Sequence, residues 1–183
     1  AGRNLISGQM TAGIRIADSD GSVNTTIKGN IIGADKTGAD TLLTAAGTTP
    51  QTAGIYVFDG GNSTVLVKQN ILSANATYGF RTPDNNSNIS TVDSNWVGCD
   101  ANGAEIVGAH QNYGIYLNSS IGNLMRYNTI AYNTDDGIYI INGISTNPNL
   151  NLISQNSIYY NGNKAININY GANQGNDGQP VPT

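Results

Sequence analysis

Apolar and polar residues alternate along this chain in two short phrases that keep returning. The first is an asparagine with an apolar residue three places before it and another two places after. It reads Ile27-Lys28-Gly29-Asn30-Ile31-Ile32, Val67-Lys68-Gln69-Asn70-Ile71-Leu72, Val92-Asp93-Ser94-Asn95-Trp96-Val97, Met125-Arg126-Tyr127-Asn128-Thr129-Ile130 and Ile153-Ser154-Gln155-Asn156-Ser157-Ile158, with a truncated copy at Asn4-Leu5-Ile6. The second reads Gly13-Ile14-Arg15-Ile16, Gly54-Ile55-Tyr56-Val57, Gly79-Phe80-Arg81-Thr82, Gly114-Ile115-Tyr116-Leu117, Gly137-Ile138-Tyr139-Ile140 and Ala165-Ile166-Asn167-Ile168. Successive asparagines of the first phrase, from Asn4 on in the truncated copy, lie 26, 40, 25, 33 and 28 residues apart. Self-similarity at such periods is the mark of a solenoid. Alternation with a period of two makes each unit a set of strands. The pattern therefore predicts an all-β chain, a parallel β-helix of about six coils over residues 1–170. Residues 171–183 lack apolar periodicity and read as a linker or tail.

Within the second phrase, Ile14 and Ile16, Ile55 and Val57, Ile115 and Leu117, and Ile138 and Ile140 are expected to face a common core. The residues between them then form an outward row of Arg15, Tyr56, Arg81, Tyr116, Tyr139 and Asn167. A further row holds Ala17, Phe58, Pro83, Asn118, Ile141 and Asn169. At about 4.8 Å per coil, six coils span roughly 29 Å. Asn30, Asn70, Asn95, Asn128 and Asn156 should stack at one corner as a structural ladder, their amides satisfying the buried turn. Five residues on, Asp35, Asn75, Asp100, Asn133 and Asn161 are expected to form a second capping ladder. Longer inserts at 36–53 and 101–113 and a bulging turn at 142–149 interrupt the repeat, and such insertions tend to gather on one side of a solenoid.

Composition sharpens this picture. The chain of 183 residues has 23 Gly and 27 Asn, the residues that turn corners most readily. Charged residues make up 11%, against about 25% in ordinary domains. A net charge of −4 offers no basic footprint for nucleic acid. No apolar run approaches the roughly 18 residues of a membrane-spanning helix. Ala1 falls inside a repeat, so a mature or excised piece is expected. The single Cys99 occupies the repeat position of Ala34 and Ala74 and reads as a small packed residue.

Asn-Leu-Ile-Ser-Gly at 4–8, Gly-Asn-Ile-Ile-Gly-Ala-Asp-Lys-Thr-Gly at 29–38, Asn-Ser-Ile-Tyr-Tyr-Asn-Gly at 156–162 and Gly-Asn-Asp-Gly at 175–178 resemble the repeats of bacterial right-handed parallel β-helix proteins, the pectin-lyase-like fold. The resemblance covers nearly the whole chain. It implies a right-handed coil and an extracellular or bacterial cell-surface location. It leaves function open, because the fold hosts lyases, hydrolases, epimerases, tailspikes and adhesins.

Candidate chemistry divides two ways. Asn133-Thr134-Asp135-Asp136-Gly137 resembles part of the pectin hydrolase signature, and Asp135 and Asp136 would supply an acid and a base. The Gly-His-Gly and Arg-Ile-Lys elements of that family are absent, and the repeat itself explains the motif. Tyr78-Gly79-Phe80-Arg81-Thr82-Pro83-Asp84 resembles the start of the alginate epimerase motif, with Arg81 where that motif needs Asp. In pectin-lyase-like proteins the substrate groove runs along the face that carries Arg15, Tyr56, Arg81, Tyr116 and Tyr139 here. Tyr and Arg suit a binding surface, while tyrosine also favours strands and self-stacking. His110 reads as a solvated loop residue without a partner. Asp18-Ser19-Asp20-Gly21 offers carboxylates to calcium, but a full loop needs more oxygen ligands, so a turn is favoured and no cofactor is expected. The reading that follows is a non-catalytic module serving adhesion, glycan contact or end-to-end assembly, with neighbouring repeats or identical subunits at the coil ends. The alternative is a polysaccharide-active enzyme using Asp135, Asp136 and Arg81.

Overall fold

The computed structural model describes residues 2–17, 24–40, 50–58, 64–82, 89–141 and 150–169. The Asp18–Gly21 turn, Pro83, the turn at 142–149, residues 41–49 of the first insert and the tail lie outside the described residues. Coil one holds β1 (Leu5–Ile6), β2 (Ala12–Ala17) and β3 (Asn24–Lys28), and coil two holds β4 (Ile31–Ile32), β5 (Ala53–Phe58) and β6 (Thr64–Lys68). Coil three holds β7 (Ile71–Leu72), β8 (Tyr78–Arg81) and β9 (Ile89–Asp93), and coil four β10 (Trp96–Val97), β11 (Tyr113–Asn118) and β12 (Leu124–Arg126). Coil five holds β13 (Thr129–Ala131), β14 (Ile138–Ile141) and β15 (Leu152–Ser154), and coil six β16 (Ser157–Tyr159) and β17 (Ile166–Asn169). They stack into three parallel sheets: sheet 1 is β1-β4-β7-β10-β13-β16, sheet 2 is β2-β5-β8-β11-β14-β17 and sheet 3 is β3-β6-β9-β12-β15. The architecture is the parallel β-helix that the repeats predict.

Alternation fills the coil. Sheet 2 sends Ile55, Val57, Phe80, Ile115, Leu117, Ile138 and Ile140 inward, against Ile32, Leu72, Val97 and Ile130 of sheet 1 and Val67, Val92 and Met125 of sheet 3. Burying each such side chain stabilises the fold by about 1.5–3 kcal/mol. Ile14 and Ile16 in coil one, and Ile158 and Ile166 in coil six, are only partly buried because each has a neighbour on one side alone among the described residues.

The asparagine ladder runs unbroken from Asn4 to Asn156. Asn70 Nδ2 donates to Asn95 Oδ1 at 3.0 Å, and Asn95 Nδ2 to Asn128 Oδ1 at 3.0 Å. The same oxygens accept backbone N–H groups: Asn128 Oδ1 takes Asn95 N at 2.9 Å, and Asn156 Oδ1 takes Asn128 N at 3.0 Å. The amides of Asn70, Asn95, Asn128 and Asn156 also reach back one coil, as Asn128 Nδ2 does to the Val92 carbonyl at 2.8 Å. The residue before each ladder asparagine from coil two on is left-handed: Gly29, Gln69, Ser94, Tyr127 and Gln155, with φ between 55° and 70°. For residues other than glycine this conformation costs about 1–2 kcal/mol. The ladder is what holds it.

The second ladder differs from expectation. Asn75, Asn133 and Asn161 belong to it, but Asp35 and Asp100 do not. Gln51 and Gln111, returning from the two inserts, take those places: Gln51 Nε2 donates to Asn75 Oδ1 at 2.8 Å, and Asn75 Nδ2 to Gln111 Oε1 at 3.0 Å. The physical reason lies at the exits. Gly33 and Gly98 are left-handed (φ 98° and 83°), and a Cβ there would collide with the carbonyl oxygens of Ser73 and Ala131. The chain leaves the coil just after them, and each Asp caps the departing turn. Asp35 Oδ1 accepts Thr37 N and Ala39 N, and Asp100 Oδ1 accepts Asn102 N and Ala104 N.

The second insert folds back onto the outside of sheet 1. Ile106 and Ala109 pack on Ile31, Ala34, Ile71 and Ala74, with Trp96 alongside. Cys99 is fully buried, and burial pushes its thiol up to about 12. His110 does have a partner: its Nε2 lies 3.0 Å from Glu105 Oε1 in the same insert.

Asn128→Leu removes the acceptor of two Asn95 donors, each costing roughly 1–3 kcal/mol when left buried. A loss of about 3 kcal/mol is expected by urea denaturation. Asn4→Ala, at the exposed start of the ladder, should stay within about 0.5 kcal/mol of the parent. Equal effects of the two substitutions would contradict the buried ladder.

Candidate functional site

The outward row of sheet 2 is in perfect register. Arg15 pairs Tyr56, Tyr56 pairs Arg81, Arg81 pairs Tyr116, Tyr116 pairs Tyr139 and Tyr139 pairs Asn167. The ladders set this register, because they fix every coil at the same corner. In the further row Ala17 pairs Phe58, and Asn118 pairs Ile141, which pairs Asn169.

Two further tyrosines join the row. Tyr78 and Tyr113 occupy the position before the glycine in β8 and β11 and pair with each other. Their signal in the sequence is a tyrosine directly before the glycine that opens the second phrase, found in that phrase only at Tyr78-Gly79 and Tyr113-Gly114. Tyr78 stacks on Tyr113 with ring centroids 5.8 Å apart and planes at 17°, and Tyr113 stacks on Tyr139 at 5.5 Å and 17°. Tyr116 meets Tyr78, Tyr113 and Tyr139 edge to face at 5.0, 5.4 and 5.4 Å. Edge-to-face and offset pairs each contribute about 0.5–1.5 kcal/mol.

Arg81 sits among these rings. Its Cζ lies 4.8 Å from the Tyr56 ring, 4.9 Å from Tyr78 and 6.0 Å from Tyr116. Its Nε is buried with no hydrogen-bond partner among the described residues. Arg15 Cζ lies 4.4 Å over Phe58. The face is thus an aromatic platform with cations set into one half.

The carboxylates lie at the other end. Burial pushes the Tyr113 phenol far above its ordinary value, helped by its hydrogen bond to Asp135 and by the charge of Asp136. Burial also raises Tyr116, as do Tyr78 and Tyr139. Asp135 Oδ1 accepts Asn163 Nδ2 at 3.0 Å. Asp136 is buried, and its oxygens accept Lys164 N at 3.0 Å and Asn167 Nδ2 at 2.8 Å. Both carboxylates therefore brace coil five to coil six. Arg81 belongs to coil three, two steps or roughly 10 Å away at about 4.8 Å per step. Of the three catalytic candidates, the geometry brings Asp135 to the aromatic row and ties Asp136 into the coil. Among the described residues no three His, Cys, Asp or Glu side chains gather as a metal site. Among the described residues no helix is long and apolar enough to cross a membrane.

A family model described as the right handed beta helix region matches residues 50–177, well over half of the chain. No curated protein and no solved structure gives a significant match.

The raised phenols make a pH prediction. Their folded-state values lie above the ordinary 10.0, so the stability they contribute is complete below that value and is lost as pH rises through it. Burial raises the Cys99 thiol in the same sense, from 9.0 to about 12, so denaturation midpoints should be level up to about pH 8 and fall by about pH 11, the thiol contributing from about pH 9 and the phenols from about pH 10. Tyr113→Phe should flatten that decline. A Tyr113→Phe variant with the full parental decline would show that Tyr113 does not carry it.

Proposed function

Because the chain belongs to the right-handed β-helix family, we propose that it is a non-catalytic module of an extracellular or bacterial cell-surface protein, contacting a glycan or cell-surface polymer along the face of sheet 2. The observation that carries this reading is the continuous platform from Tyr56 through Arg81, Tyr78, Tyr116 and Tyr113 to Tyr139. Four coils in register cover roughly 14 Å, at about 4.8 Å per step, a length that accommodates a few sugar rings. Rings held by one another present a surface that need not be ordered on binding, which lowers the entropic cost of a contact. Arg15 and Arg81 would meet polar or acidic substituents.

The expected result on an oligosaccharide array is binding that weakens about tenfold or more when Tyr56, Tyr116 and Tyr139 are replaced together by Ser, the variant remaining folded by circular dichroism, since loss of several stacking contacts of about 1–3 kcal/mol each is being read. Unchanged binding in the folded variant would overturn the assignment. The contact between Tyr113 and Asp135 keeps the enzyme alternative in view, with Asp135, Asp136 and Arg81 as its residues. A screen of acidic polysaccharides for new unsaturated or reducing ends should find none. Turnover by the parent that disappears in the Asp135→Asn, Asp136→Asn double variant would replace the module reading with a lyase or hydrolase.

The coil ends suggest the partners. Ile14 and Ile16 at one end and Ile158 and Ile166 at the other are partly buried, and Ile168 is 52% exposed. Neighbouring repeats or identical subunits would cover this surface, since open strand edges recruit further strands. Light scattering should show mass rising with concentration for the isolated chain. A monomer at every concentration would exclude assembly through identical subunits.

A further inference from the structure

A second feature lies at a different corner, where the turn of the first ladder joins sheets 3 and 1. Four of the chain's eight Lys and Arg residues gather there, in a chain whose net charge is −4. Lys28 pairs Lys68, Lys68 pairs Asp93, and Asp93 pairs Arg126 along the outside of sheet 3. Asp93 is buried and engages Arg126 at 2.9 Å and Lys68 at 3.9 Å. Arg3 and Lys28 have no carboxylate partner among the described residues. They line a groove of about 510 Å³ with Gly2, Gly29, Gln69 and Trp96. The Arg3 guanidinium lies 5.8 Å over the indole of Trp96 and donates to the Gln69 carbonyl at 3.3 Å.

Gly29 is the informative residue. Its φ of 70° falls in the left-handed row, but the fold does not demand glycine there, because Gln69, Ser94, Tyr127 and Gln155 fill the same position in later coils. A Cβ on Gly29 would meet nothing within 4 Å. The missing side chain leaves the floor of the groove open, beside two cations without a carboxylate partner among the described residues and a partly buried indole. A simple inorganic anion would use the cations alone. A ring with one apolar face and an acidic substituent uses all three.

We propose that this groove binds an anionic sugar unit, its carboxylate or sulfate held by Arg3 and Lys28 and its ring lying on Trp96. This site is separate from the sheet 2 platform and does not rest on that reading. Trp96 is the chain's single tryptophan, so its fluorescence reports on the groove directly. The 183-residue chain is titrated with an oligogalacturonide, a heparin-derived oligosaccharide and neutral maltohexaose, with excitation where tyrosine does not absorb. One or both acidic probes should shift the emission saturably, and which one does so identifies the acidic group. Added salt should weaken the effect, because exposed charges are screened. Arg3→Ala with Lys28→Ala should weaken binding about tenfold or more, the expected loss of charge-assisted hydrogen bonds. Gly29→Tyr, which copies the residue at the same turn one coil before the last, should abolish it while the variant stays folded, its melt lowered only by the cost of a left-handed residue in place of glycine. The triple Ser variant of the tyrosine platform should bind as the parent does. No shift with either acidic probe, an equal shift with maltohexaose, or retained binding in folded Gly29→Tyr would overturn the proposal. If Gly29→Tyr does not fold, undiminished binding by the double Ala variant overturns it alone.

Discussion

Everything in this molecule depends on a side-chain amide bonding to its own kind one coil away. An Asn carboxamide has the donors and acceptors to satisfy a backbone turn and still bond to the next amide along the stack. In the interior such bonds are costly to leave unmade, so each asparagine fixes the height and phase of its neighbour. Asn30, Asn70, Asn95 and Asn128 are all buried and all linked in this way. Once the corner is fixed, three sheets follow in register, and the side chains between the inward residues must line up as columns. The tyrosine platform is a consequence of the ladder before it is anything else.

The columns were legible because two signals agree. Asparagine marks the corner, and the Gly-Ile-x-Ile phrase marks the strand that follows. Counting from either gives the same register, which is why Arg15, Tyr56, Arg81, Tyr116 and Tyr139 could be aligned from the residues alone. The second ladder was harder to read, because its members are not one residue type. Short coils use Asn four places before the glycine, as at Asn75 and Asn133. Long coils use Gln three places before it, as at Gln51 and Gln111. The extra methylene of Gln makes up for a different approach of the chain, and no count from Asn30 or Asn95 would find it. The packing of Ile106 over sheet 1 was equally hidden, since an insert carries no period to read.

The two surfaces differ in how their cations are held. On sheet 2, Arg81 lies among three rings, so its charge is offset by π-faces and not by a carboxylate. On sheet 3, Asp93 answers Lys68 and Arg126, and burial would raise its carboxyl were it not for Ser94 and those two cations, which together hold it below the ordinary carboxylate range. A chain with so few charges has placed most of its positive ones on two outward columns. That arrangement gives local fields of a sign opposite to the net charge, the condition under which an acidic ligand is drawn to one place and not to the whole surface.

The glycine column bears on what the coil can accept at its end. Each glycine that opens a strand of sheet 2 lies under an amide of the second ladder from the next coil. A Cβ on Gly54 would sit 3.1 Å from Asn75 Nδ2, on Gly114 the same distance from Asn133 Nδ2, and on Gly137 2.9 Å from Asn161 Nδ2. Gly13 and Gly79 stand in the same relation to Gln51 and Gln111. Glycine is therefore required by the coil above and not by its own. In coil six the position is held by Ala165, which is exposed. A further coil of the same design would press its amide onto that methyl group. The next coil's backbone carbonyl comes closer still, 2.6 Å from the Cβ position at Gly54, 2.5 Å at Gly114 and 2.7 Å at Gly137, so whatever covers β17, a further repeat or an identical subunit included, must shift its backbone where it meets the Ala165 methyl.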